Sequence, residues 1–273
     1  MDIRRGKLVK SNTSKYLQQL GVEELPPRSS PLDPGYAPVL LESHLQQSGH
    51  LIEILKLSMA CWQIANEKST RLKMQAAKRY RVSVTTGGGP FEIAASYNKI
   101  NEFLELCNDL GVTRVEVGEG FTHNRFNPIK IVKQCHRLGL DVQFELGEKH
   151  QGAFSSKTIG KLIEQGKAWL GAGAKQLIIE ARENAKNIGL FDEKGLFDAA
   201  GAERFVEAFG FDLVSFEAPN KASQFGFLKH FGTEIHLCNI PLDELLRVEI
   251  YRRGLHSDAF ENKHLRPKGL SID

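Results

Sequence analysis

A parallel (β/α)8 barrel of the TIM type, class α/β with an irregular N-terminal arm, is what the sequence predicts, and three observations predict it. Short apolar runs alternate with helical patterning from about residue 36 onward. The runs recur about every 30 residues, the length of one strand plus its crossover helix. Each run ends in a polar residue or a glycine turn, as the strands of a barrel do where they reach an active face. The 273 residues suit one such barrel, and the division read is an arm over 1–35 and one barrel domain over 36–273.

Taken in order, residues 1–35 carry Pro, Ser, Lys and Arg without a strong period and end in the turn Asp33-Pro34-Gly35. Helical patterning over 37–49 leads to the run Leu51–Leu57, and a second stretch over 62–79 to Val82-Ser83-Val84 and Gly87-Gly88-Gly89. A helix over 95–110 places Leu104, Cys107 and Leu110 on one face and stops at Gly111, followed by the strand Val112–Val117. The helix 127–138 stops at Gly139 before Val142–Leu146, and the helix 156–171 precedes the strand Gln176–Ile179. Helices 200–209 and 221–231 stop at Gly210 and Gly232, before the strands Leu213–Phe216 and Ile235–Cys238. Helix 241–253 closes at Gly254. That makes seven strands, and the eighth has to come from the irregular segment before Asp33.

The strand ends read Lys56, Thr85-Thr86-Gly87, Glu116, Glu145, Glu180, Glu217 and Asn239. A single terminal glutamate is a solvated rim residue. Four, each after an apolar run, point to one shared site, where carboxylates repel unless a cation or a proton stands among them. With oxygen donors and no His or Cys at these ends, Mg²⁺ is the natural occupant. Glu145 and Glu180 are the candidate ligands, with Glu116 or Glu217 as a third or outer group.

Lys149, in a loop able to close on a substrate, and Lys56, at a strand end, are the candidate proton donors. Gly87, Gly88 and Gly89 offer unobstructed backbone N–H groups to a phosphate, and Arg182 offers a planar fork. Lys221 and Arg253 complete the substrate-binding candidates, although Arg252 and Arg253 equally suit capping the last helix.

A net charge of +3 is too small to imply nucleic acid, and no basic cluster is interleaved with aromatics. His123, His136, His150 and His236 show no ligand spacing, the serines sit in no GxSxG context, and no GxGxxG opens a helix. The four cysteines lack metal or CxxC spacing, the first ten residues contain no apolar core, and no run approaches a membrane span. A soluble cytoplasmic protein is expected, with no nucleic-acid or membrane partner.

The segments IIEARENAKNIGLFD (178–192), FEAPNKASQ (216–224) and LCNIPLDELLRVEIYRRGLHSDAF (237–260) resemble the phosphosulfolactate synthase family. TTGGGPFE (85–92), RVEVGEG (114–120) and QFELGEK (143–149) add to the resemblance, which covers about residues 32–260. It implies a TIM-barrel carbon–sulfur lyase that adds sulfite to phosphoenolpyruvate with Mg²⁺, early in coenzyme M biosynthesis, and a homo-oligomer. The family's Asp-Lys-Gly stands here as Asp33-Pro34-Gly35, and its Gly-Lys-Lys as Gly147-Glu148-Lys149. The chain therefore reads as a divergent, related branch. Another small nucleophile, another phosphorylated acid, or a barrel serving only binding or assembly are the alternatives this pattern leaves open.

Overall fold

The computed structural model describes residues 11–122 and 124–269. The first ten residues of the arm and His123 therefore lie outside the described residues. Eight strands close into one barrel in sequence order, every neighbouring pair parallel and β8 returning to β1. The barrel read from alternation is present.

The arm contributes α1 (Asn12–Gln19), capped by the Ser11 side chain. Then follow β1 (Ser29–Asp33), α2 (Pro38–Ser48), β2 (Ile54–Leu57), α3 (Cys61–Ile64), α4 (Glu67–Arg79) and β3 (Ser83–Thr86). Next come α5 (Gly88–Ser96), α6 (Ile100–Leu110), β4 (Arg114–Gly118), α7 (Pro128–Arg137), β5 (Asp141–Leu146), α8 (Ser156–Ala172) and β6 (Gln176–Ile179). The chain closes with α9 (Ala199–Phe209), β7 (Val214–Glu217), α10 (Lys221–Phe231), β8 (His236–Pro241), α11 (Leu245–Arg252) and α12 (Ser257–Phe260).

The missing eighth strand is β1, so the barrel begins at Ser29, inside the stretch assigned to the lead-in. Its sequence, Ser-Ser-Pro-Leu-Asp, hides it: one strong apolar residue leaves no alternation to read, and Pro31 argues against a central strand. The fold accommodates Pro31 at a register shift against β8, between Ser30 and Pro31. The helix expected over 95–110 is two helices, with Asn98 in a left-handed conformation (φ 57°) at the break. The first of them starts at Gly88, so two of the three glycines open a helix rather than forming a free turn.

Alternation along each strand sorts the residues between two environments. Phe144 faces outward and stacks on Trp169 of α8, ring centroids 4.2 Å apart. Its neighbours Gln143 and Glu145 face inward, as the partners described below show. The barrel interior is unusually polar as a result. At the amino-terminal end Arg114 donates to Gln143 and Gln176, and Gln176 reaches Glu53. No helix among the described residues is long and apolar enough to cross a membrane.

Candidate active site

Four of the strand-end glutamates reach one cavity of about 210 Å³ at the carboxyl-terminal rim, with Lys56, Lys149, Gly87–Gly89, Arg182, Glu183 and Asn239. Glu116, in the middle of β4, Glu145, near the end of β5, and Glu217, at the end of β7, are joined by Glu180, which follows β6 directly. All four are buried. Buried carboxylates of like charge are costly unless met, and two lysines meet them.

Lys56 Nζ lies 2.7 Å from Glu116 Oε1 and 3.6 Å from Glu217 Oε1. Lys149 Nζ donates to Glu145 Oε1 at 2.7 Å and to Glu180 Oε2 at 2.6 Å. Burial works to lower the pKa of both lysines, but the surrounding carboxylates outweigh it and the net shift is upward. Both ammonium groups are therefore firmly protonated. Burial also works to raise Glu145, yet Lys149 and Lys56 hold it down at about 2. Glu180 moves the other way, raised well above its usual value by burial and by the charges of Glu217 and Glu145. Glu116 is raised as well, chiefly by burial. Two carboxyls raised beside two ammonium groups are the expected outcome where four carboxylates face two cations.

Glu116 and Glu217 are tied down further. Glu116 Oε1 accepts from the Gly88 N–H at 2.8 Å, and Oε2 from Gln143 Nε2 at 2.8 Å. Glu217 Oε2 accepts from the Ala181 and Arg182 N–H groups at 2.8 and 3.0 Å, and Oε1 from Asn239 Nδ2. With their oxygens accepting these bonds, the two carboxylates brace the loops around the cavity. Among the described residues no three His, Cys, Asp or Glu side chains form a group able to hold a metal by themselves. The pair Glu145 and Glu180 does fit a magnesium-class ion in kind. Both are oxygen donors, joined at present through the Lys149 ammonium, and such an ion commonly takes one or two carboxylates and fills its shell with water and substrate.

Two glycines are required by close approach. At Gly147 (φ 130°) a Cβ would stand 2.8 Å from Glu180 Cβ, and at Gly118 it would stand 2.8 Å from Glu92 Oε1. Glu92, on α5, was not singled out from the sequence. Its buried carboxylate accepts from the Gly120, Phe121 and Thr122 N–H groups and from Thr122 Oγ1, ordering the loop after β4. A helix start placed too late in the sequence hid it. Asn239, a strand end by sequence, lies inside β8. It holds φ 54°, and its Oδ1 is buried without a protein partner while Nδ2 is committed to Glu217.

Three sequence candidates change role. Arg253 is at the opposite, amino-terminal face: it pairs with Glu249 and donates to the Glu249 carbonyl at 3.2 Å, capping α11. The helix runs back down the barrel, so its last residues end far from the rim. Lys221 is absent from the cavity wall, pairing with Asp258 at 3.0 Å and lying over the Phe225 ring. Gly88 cannot offer its N–H to a phosphate while Glu116 occupies it.

A model of the (2R)-phospho-3-sulfolactate synthase family matches residues 29–258. The phosphosulfolactate synthase of Methanocaldococcus jannaschii is 34% identical over 230 residues, covering 84% of this chain and 92% of that one. The phosphosulfolactate synthase of Bacillus subtilis is 26% identical over 243 residues, covering 84% of this chain and 90% of that one. Among solved structures, a 3-hexulose-6-phosphate synthase superposes with TM-score 0.51 at 13% identity, covering 88% of this chain and 98% of its own, a likeness of fold alone.

Proposed function

The chain belongs to the (2R)-phospho-3-sulfolactate synthase family, and on that premise we propose that it adds sulfite, or another small nucleophile, to phosphoenolpyruvate. The observation that carries this reading is the Lys149 ammonium held between Glu145 and Glu180 at the mouth of the barrel. The family's product name fixes the connectivity. The sulfur lone pair forms a bond to C3, the double-bond pair moves through C2 onto the carboxylate at C1, and C2 then takes a proton. No group leaves.

Lys149 is the proton donor for C2. Its raised pKa keeps the proton in place until a strongly basic carbon appears, and its two carboxylate partners fix the direction of delivery to one face. Lys56, below it, fixes Glu116 and Glu217 in the floor of the cavity and presents positive charge to the substrate carboxylate. A Mg²⁺ ion held by Glu145 and Glu180 would share these carboxylates with Lys149, whose ammonium would have to shift toward the substrate, and would supply Lewis-acid stabilisation to the oxygens on which charge accumulates.

One observation favours a nucleophile other than sulfite. Glu148, where the family pattern has lysine, lines the neighbouring cleft that also reaches Glu145 and pairs with Arg125 at 3.3 Å. The loss of one cation and gain of one anion favours a less charged partner. We place the protein in the cytoplasm as a homo-oligomer; its four cysteines are free thiols, and α1 has no buried residue of its own. Sedimentation of the full chain against one starting at Gly21, which lacks α1 and leaves β1 whole, tests the assembly, and two monomers would end it.

Incubation with phosphoenolpyruvate, sulfite and Mg²⁺ should yield a phosphorylated sulfonate detectable by phosphorus NMR and mass spectrometry. Unchanged substrate after exhaustive incubation would reject sulfite, and a panel of uncharged thiols would then decide whether the nucleophile differs.

A further inference from the structure

Beside the carboxylate-lined cavity lies a second cleft of about 360 Å³, walled by Lys149, His150, Arg182, Glu183, Lys186 and Asn187 among others. Lys149, Arg182 and Glu183 line both spaces, so the two are lobes of one site. The cleft lies between the loop after β5 and the loop after β6. Those loops are fastened together by Phe154 N–H donating to the Gly189 carbonyl at 2.7 Å and by Arg182 Nη1 donating to the Lys149 carbonyl at 3.1 Å.

The charge in this lobe is the reverse of that in its neighbour. Lys56, Lys149, Arg125 and Lys221 each have a carboxylate partner. Arg182 and Lys186 have none among the described residues, and Arg182 instead directs Nη1 toward His150 Nδ1 at 3.3 Å. Three non-glycine residues in the same loop, Arg182, Ala185 and Asn187, hold φ values of 55°, 50° and 47°. Such conformations cost energy and persist where the surroundings impose them, often at ligand clamps.

We propose that this cleft is the oxyanion subsite of the enzyme, taking the phosphate of the phosphorylated acid between Arg182, Lys186 and His150. The proposal rests on the reading of a phosphorylated substrate and moves its phosphate away from the Gly87–Gly89 segment. There the Gly88 N–H is occupied by Glu116, and the Glu116 carboxylate would repel a phosphate. With the phosphate in the cationic lobe, the carboxylate and C3 extend toward Lys149 and the glutamate lobe. Arg182, shared by both lobes, sets the register between them and is a planar fork suited to a tetrahedral anion.

The test measures binding apart from turnover. Calorimetric titration with inorganic phosphate, and separately with phosphoenolpyruvate, is run on the full chain and on Lys186→Ala, His150→Ala, Arg182→Ala and Arg182→Lys. Wild type should bind both ligands. Lys186→Ala and Arg182→Ala should each weaken both by about tenfold, the scale of one charge-assisted contact, with Arg182→Lys recovering part. Thermal melts of the variants confirm folding. Phosphate affinity unchanged in Lys186→Ala and His150→Ala, or no phosphate bound by wild type, would overturn the assignment. Displacement of phosphate by phosphoenolpyruvate but not by equal sulfite supports it; equal displacement by sulfite assigns the cleft to the nucleophile and overturns it. Failure to turn over sulfite with phosphate binding intact would sink the activity reading alone.

Discussion

The two ends of the barrel both bury charge, and they do so on opposite terms. At the amino-terminal end Arg252 is fully buried, and every contact closes a circuit within the protein. Its guanidinium donates to Glu249 Oε1, the Thr233 and Ile235 carbonyls, the Arg28 carbonyl and Ser29 Oγ. Ser29 Oγ in turn donates to Glu249 Oε1 at 2.6 Å. At the carboxyl-terminal rim four carboxylates share two lysines, two of the carboxyls are pushed up, and an amide oxygen of Asn239 has no protein partner. Buried charge alone therefore does not mark a working site. The mark is charge whose balance the protein leaves incomplete, because only such a cluster has something to gain from a ligand.

This contrast is broken or sharpened by separating activity from stability at each end. The largest expected effect is on turnover at the rim. Lys149→Ala should lower kcat by about 10²- to 10⁴-fold, the range for removing a general acid. Urea unfolding should show a loss of stability too, since Glu145 and Glu180 lose their shared ammonium, so kcat is read on the folded fraction. Retained turnover in this variant would remove Lys149 as the donor.

Next comes the opposite end. Arg252→Ala leaves Glu249 buried with a partner gone and several carbonyls unmet, and should destabilise the fold by about 3–5 kcal/mol. Residual folded enzyme should keep its KM. A KM shift without a stability loss would contradict the division drawn between the two ends.

A smaller effect concerns pH. The folded pKa of Glu180 is raised above the ordinary 4.5, so between that value and the raised one the native state binds the extra proton. Stability from this group must fall as pH rises through that window. Glu145 has the reverse sign: held at about 2, it stabilises above pH 4.5 and loses that contribution as pH falls toward 2. Glu180→Gln should flatten the decline above pH 4.5, by about 1.4 kcal/mol for each unit the carboxyl is raised. Urea midpoints at pH 5 and pH 8 read this out, and parallel profiles for wild type and variant would refute it.

The smallest effect is at Lys221, solvated and paired with an exposed aspartate. Lys221→Ala should leave KM for the phosphorylated acid and the melting temperature within measurement error. A clear rise in KM would return Lys221 to the substrate site.

What the sequence determined follows from periodicity, which is a local property. Apolar runs alternating with helical faces, each strand ending in a polar residue, suffice for a parallel barrel and for a common rim carrying Glu116, Glu145, Glu180 and Glu217. Where that pattern thins it fails, as at β1, whose Ser-Ser-Pro-Leu-Asp is a strand only because β2 and β8 flank it. Only the tertiary structure decided which charges meet. Lys56 finds Glu116 sixty residues away in the chain, Arg253 falls at the wrong end because α11 reverses direction, and Gly88 gives its N–H to a glutamate on the next strand. Coulomb energies and hydrogen bonds depend on distances in space that barrel closure sets, and no one-dimensional pattern contains them.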